Sequence, residues 1–290
     1  MVTITVGNKK GGVGKTTTAY HLAAQLHQLN KSRKVKYRVL VLDLDGQCNL
    51  SRTAGINDDG PTMHTVMMRE VPLENAIMQT DWFDLVQGSP AMNTISKSLP
   101  EGIGRYMRVN EALKTVQNEY DFCILDTPPA IDVVTTNALI ASDYIVIPAE
   151  ANELSTDGIA AIYASIADTK QYYNPDIKIA GILLTRFKKQ TTLARNYRGI
   201  FEKMAKAMKT KVFSTPIREN VNLSEVPSFH VPVFAFRPES SGAEDYAAFA
   251  KEILEDIHKD AQSVGSAKKK AADVNKKLYT EKAEVIVNGD

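Results

Sequence analysis

The stretch Lys10-Gly11-Gly12-Val13-Gly14-Lys15-Thr16-Thr17 decides the fold. The apolar run at residues 2–6 precedes it and predicts a strand. Residues 16–30 follow it and carry Ala19, Leu22, Ala23, Leu26 and Leu29 on one face, which predicts a helix. A glycine-rich turn between a buried strand and a helix, closed by Lys-Thr-Thr, is the context of a phosphate cradle. Glycines let backbone N–H groups close around phosphate oxygens, and the helix N-terminus adds partial positive charge. Lys15 is expected to reach the outer phosphates and Thr16 to offer its hydroxyl to Mg²⁺. Gly11, Gly12, Val13, Gly14 and Thr17 complete the expected nucleotide contacts.

Outward from this loop, short apolar runs alternate with helical patterns. Strands are expected at 39–44, 83–86, 122–125, 144–147, 179–184 and 212–213, and helices at 107–119, 153–173, 191–209 and 243–258. Such alternation means parallel pairing, so the fold class is α/β: a mostly parallel central sheet with helices on both faces. The chain has 290 residues, 43% hydrophobic and 24% charged, enough to bury a sizeable core. Residues 1–258 read as one domain and 259–290, with the run Lys268-Lys269-Lys270, as a basic, flexible tail. Cys48 and Cys123 are too few for a disulfide framework or a four-thiolate zinc site. The five histidines show no ligand spacing; His21 and His27 are expected on a helix surface, and Trp82 in packing. The opening residues do not read as a signal peptide and no apolar run is long enough to span a membrane, so the expected compartment is the cytoplasm.

Two further segments carry acids where a parallel sheet presents its carboxyl ends. Asp43-Leu44-Asp45-Gly46-Gln47-Cys48-Asn49 leaves the second expected strand, and Asp126-Thr127-Pro128-Pro129 leaves the fourth. A carboxylate there can position the attacking water or hold the metal. Asp126 is the expected Mg²⁺ residue, through water, with Asp43 as a possible second.

The loop lacks the first glycine of the standard G-x-x-x-x-G-K-[ST] pattern, where Lys9 stands, and has Lys10 ahead of its glycine pair. In this it resembles the deviant Walker A motif KGGxGK[ST] of the ParA/MinD-like ATPases. The Asp43 segment is similar to the DxDPQGN motif of ParA proteins, departing at Gly46, where Pro is usual, and at Cys48, where Gly is usual. Asp126 to Pro129 resembles the DTPP switch. Residues 216–225 look like the ParA segment that passes the adenine, with Pro216, Arg218 and Asn220 as expected nucleotide contacts, and 242–254 look like its closing helix. The resemblance covers about residues 2–258, outside the tail and the basic insert 31–38. With no helix-turn-helix region before the loop, the chain is similar to the short, Soj-like type.

The resemblance implies a ParA-type partition ATPase for a plasmid or chromosome, using ATP and Mg²⁺. ATP would be sandwiched between two subunits of a homodimer, Lys10 would contact phosphate in the partner's site, and Asp45 would position water. The dimer would bind double-stranded DNA nonspecifically on the nucleoid. A ParB-like centromere-binding protein would stimulate a slow hydrolysis. The cysteines do not match the cluster ligands of the iron–sulfur relatives.

The formal net charge is +1, which argues against a coat of basic residues. Along the chain it resolves sharply. Between Arg186 and Arg218 stand Arg186, Lys188, Lys189, Arg195, Arg198, Lys203, Lys206, Lys209, Lys211 and Arg218 against the one acid Glu202, a net +9, so the remainder carries −8. Leu193, Tyr197, Ile200, Phe201, Met204 and Met208 recur at helical spacing and predict a core face there. A merely solvated helix and a membrane-surface helix compete with the reading preferred here, a phosphate-tracking DNA surface. No membrane contact is expected. The alternatives for the whole chain are a MinD-like membrane-cycling ATPase and a DNA-binding regulator that nucleotide only switches.

Overall fold

The computed structural model describes residues 1–29 and 37–263. It divides into two units, Met1–Ala250 and Lys251–Asp290. In the first unit the elements run β1 (Val2–Val6), α1 (Lys15–Gln28), β2 (Val39–Asp43), α2 (Asn49–Thr53), α3 (Met63–Met67), β3 (Met78–Gln79), β4 (Asp84–Val86), α4 (Ile95–Ser98), α5 (Arg108–Val116), β5 (Phe122–Asp126), α6 (Val133–Ile140), β6 (Tyr144–Glu150), α7 (Glu153–Tyr172), β7 (Lys178–Thr185), α8 (Thr192–Ala207), α9 (Val221–Phe229) and α10 (Val233–Phe236), then a helical stretch at 241–250. In the second unit residues 251–263 are helical. The expected tail lies mostly outside the described residues, as does all of the basic insert except 37 and 38.

The strands form one sheet in the order β3-β4-β2-β5-β1-β6-β7, parallel throughout apart from the two-residue edge strand β3. Every residue of β2 and β5 is buried, which is why both read as unbroken apolar runs. Leu40 and Leu42 of β2 join Cys123 and Leu125 of β5 in a core cluster with α3, α5 and α6. Alternation turns Val39 and Val41 to the other face, where α1 lies. A second cluster joins β6 and β7 to α7 and α8. Cys123 is wholly buried and behaves as a small hydrophobe, as expected.

Three expectations need correction. Residues 212–213 form no strand: Val212 makes a single bridge to Ile182, and Phe213 is buried with its ring edge-on to Phe249. His21 is not a surface group; it is 1% exposed and stacks on Tyr246 at 4.7 Å. Of the expected core face at α8, Phe201 is buried and Tyr197, Met204 and Met208 pack partly buried against the same cluster, while Leu193 and Ile200 are 59% and 41% exposed. A sixteen-residue helix packed on one sheet edge buries a narrower stripe than its apolar residues could fill.

Register sets the site. In β5, Asp126 stands opposite Val6 of β1 on one side and Asp43 of β2 on the other. The connection from β1 to β2 runs to one side of β1, and β6 and β7 extend to the other. The carboxyl ends of these strands therefore flank the point where strand order reverses, the usual crevice for a ligand in such sheets.

Candidate nucleotide site

The loop after β1 turns into α1 through two residues in the left-handed region, Gly12 (φ 76°) and Gly14 (φ 83°). A Cβ at Gly12 would meet nothing within 4 Å, so backbone conformation alone demands glycine there. Gly14 caps α1 without a side-chain hydrogen bond, and no acid lies in the first turn. The positive end of α1 is thus left open toward the loop. Thr185 Oγ1 donates to the Val13 carbonyl at 2.9 Å, tying the loop to β7.

Lys15 is 7% exposed, and its Nζ donates to the carbonyl of Lys10 at 2.9 Å. Burial pulls its pKa below the ordinary lysine value, opposed by the charges of Asp126 and Asp45. Thr16 Oγ1 donates to Asp126 Oδ2 at 2.7 Å, while the fully buried Oδ1 of Asp126 has no partner. Burial raises the Asp126 carboxyl well above its usual range and the neighbouring Asp43 adds to it; the Thr16 hydrogen bond and Lys15 oppose. An orphaned carboxylate oxygen beside a hydroxyl is a hard-oxygen donor pair of the kind Mg²⁺ takes together with phosphate oxygens. Among the described residues no group of three or more His, Cys, Asp or Glu could hold a metal, so such a cation would need those phosphates.

Asp43 and Asp45 are both buried and turned into their own segment. Asp43 Oδ2 accepts from the Ser51 amide at 2.9 Å and the Ser51 hydroxyl at 2.6 Å. Burial pushes its carboxyl up to about 6 against those hydrogen bonds. Asp45 Oδ1 accepts from the Gln47 amide at 2.9 Å, closing a tight turn.

Lys10 points back into its own subunit. Its amide donates to Asn8 Oδ1 at 3.0 Å and its Nζ to Asn152 Oδ1 at 2.8 Å. Asn152 caps α7 through the Ser155 amide and bonds Glu150, which in turn pairs with Arg186. Asn8, 2% exposed, also donates to the Pro148 carbonyl at 2.7 Å. Neither asparagine belongs to a sequence motif, although Asn152 stands where a helix cap is expected before residues 153–173.

The remaining expected contacts are more scattered. Asn220 caps α9 and donates to Ser241 at 2.7 Å. Arg218 donates to Asp245 at 2.6 to 3.0 Å and to Glu244. Within the basic stretch Arg186, Lys188 and Arg198 pair with Glu150, Glu219 and Glu202. Lys189, Arg195, Lys203, Lys206 and Lys209 are exposed and have no ion-pair partner among the described residues. The acids of the −8 remainder thus neutralise part of the +9 stretch. Among the described residues no helix is long and apolar enough to cross a membrane.

The sequence matches the AAA domain family over residues 1–179. It is 33% identical over 255 residues to the chromosome partitioning protein ParA of Myxococcus xanthus, covering 87% of each chain. It is 34% identical to the chromosome-partitioning ATPase Soj of Thermus thermophilus, over 87% of this chain and 94% of that one. Among solved structures it resembles a cobyrinic acid a,c-diamide synthase from Mycobacterium smegmatis with bound ATP analogue and magnesium. The TM-score is 0.74 at 28% identity, covering 88% of this chain and 94% of that one.

Proposed function

This chain belongs to the ParA/MinD family of P-loop ATPases, and we propose that it is a partition ATPase that cycles on DNA. The observation that carries this reading is the convergence of Lys15, Thr16 and Asp126 on the open end of α1. The ATP analogue and magnesium of the Mycobacterium smegmatis structure support ATP and Mg²⁺ as the nucleotide and metal. Thr16 and Asp126 would hold Mg²⁺, which when bound neutralises phosphate charge. Asp43 is held back by Ser51.

On binding, the partly desolvated Lys15 ammonium exchanges the Lys10 carbonyl for a phosphate oxygen, and the first N–H groups of α1 receive others. Lys10 leaves Asn152 and reaches the phosphates of a second subunit, which makes ATP the adhesive of a homodimer. Asp45, held in its turn by the Gln47 amide, orients the attacking water. The Lys10 change requires the dimer, so turnover by the isolated chain is slow, and a ParB-like partner completes it. Arg218, held by two carboxylates, braces the segment from Pro216 to Asn220 along the adenine side. Exposed Lys189, Arg195, Lys203, Lys206 and Lys209 would track DNA phosphates without reading bases, placing the dimer on the nucleoid. Lys15→Ala tests the site: nucleotide binding should be lost, and normal ATP affinity would sink the assignment.

One observation favours a second reading. Leu193 and Ile200 are exposed beside the arginines and lysines of α8, an amphipathic surface suited to anionic lipid. Co-sedimentation with DNA and with anionic vesicles, each with ATP, separates the two. DNA-bound protein absent from vesicles supports partition on DNA; the reverse supports a membrane cycle.

A further inference from the structure

We infer that Asn93 is a positioning residue for hydrolysis, acting through Gly46 on the Asp45 turn; this rests on the reading of Asp45 given above. A Cβ built on Gly46 would stand 2.8 Å or less from Oδ1, Cγ and Nδ2 of Asn93. The Asn93 amide thus lies in the space that a side chain at position 46 would enter, and it would have to swing aside. It lies over the middle of the turn whose first carboxylate, Asp45, holds the Gln47 amide.

The backbone that carries Asn93 is fixed from behind. Its 3₁₀ turn, Pro90–Thr94, is capped by Ser89 and anchored by the buried Met92. Just before it, the Gly88 amide donates to Ser51 Oγ at 2.9 Å, and the same hydroxyl donates to Asp43. A Cβ on Gly88 would come within 3.0 Å of the Asp43 carboxyl carbon. Segment 88–94 is therefore built onto the acid network of β2, while the Asn93 side chain is exposed and makes no hydrogen bond among the described residues. A cavity of about 210 Å³ adjoins the turn, lined by Asp45, Gln47, Met92, Asn93, Pro128 and Asp132. A turn with glycine at its centre and space beside it has little stiffness of its own. The Asn93 amide supplies that stiffness by denying the turn one direction of movement.

The test measures steady-state ATP hydrolysis with DNA by the full chain, with ATP affinity in parallel, for Asn93→Ala, Gly46→Ala, the double variant and Asp45→Ala. Asn93→Ala should lower kcat by about tenfold with KM for ATP unchanged, because a small misplacement of a water-orienting group falls on the chemical step. A merely structural role would not split the two constants in this way. Gly46→Ala should also lower kcat, since its Cβ and the amide compete for one space. In the double variant the competition is gone, so the loss should be smaller than the product of the single losses. Asn93→Ala turnover within about twofold of wild type, or losses that multiply, would overturn the inference while Asp45→Ala remains inactive. Full turnover by Asp45→Ala would instead overturn the reading of Asp45, and this inference with it.

Discussion

Lys10 and His21 show how single residues set the behaviour of the site. The Lys10 ammonium spends its charge on Asn152 of its own chain, while Lys15 alone stays beside the Asp126 carboxylate. Lys10→Ala should therefore keep ATP affinity and lose the ATP-dependent dimer, measured by sedimentation with and without ATP; a surviving dimer would contradict the cross-subunit role. His21 sits between a carbonyl and an amide. The Thr17 carbonyl can only accept, so Nδ1 carries the proton, and the Val233 amide can only donate, so Nε2 is bare. Burial accordingly depresses the pKa from 6.5 to about 4. A depressed histidine is neutral when folded, and the unfolded chain takes the proton first. Its stabilisation is whole above about pH 6.5 and fades as pH falls toward 4, a loss of about 3 kcal/mol. Urea unfolding at pH 7 and pH 4.5 should show this fall in wild type and a smaller one in His21→Gln. Equal falls would remove His21 as the cause.

At the scale of elements, the packing of α7 against the phosphate loop is the tightest constraint on Lys10. A Cβ on Gly158 would stand 2.5 Å from Asn8 Oδ1 and 3.3 Å from Lys10 Cβ. Asn8 is pinned by two hydrogen bonds, so it cannot yield cheaply. Gly158→Ala should cost about 1–3 kcal/mol in thermal or urea unfolding, and less in an Asn8→Ala background, where the colliding oxygen is gone. The elements that sequence made legible were those under a local rule. The loop was visible because its glycines, Lys15 and Thr16 obey one spacing, and β2 and β5 because burial on both faces leaves an unbroken apolar run. Asp43 and Asp126 were visible at strand ends, but their registered pairing and the Ser51 clamp were not. Asn93, Asn8 and Gly158 were invisible because their meaning lies in contacts between distant segments. The covered face of α8 is narrower than its periodicity for a related reason: helical periodicity shows which residues are apolar, not how much sheet is available to cover them.

For the whole molecule, near-neutral charge conceals a separation. The basic stretch is only partly spent, because acids from outside it hold Arg186, Lys188 and Arg218. Five exposed cations remain without an ion pair among the described residues, so phosphate tracking by one subunit predicts a slope of about −4 to −5 in log affinity against log salt. Such a surface binds weakly alone, and nucleotide-driven pairing of two copies is what would make it bind usefully. The most direct test is DNA binding by the full chain across a salt series, with ATP, with ADP and without nucleotide, while hydrolysis is followed in the same samples. Binding should require ATP, fall steeply with salt, show no sequence preference and decay as ATP is consumed. Binding of equal strength without nucleotide, or none with ATP at low salt, would contradict the account.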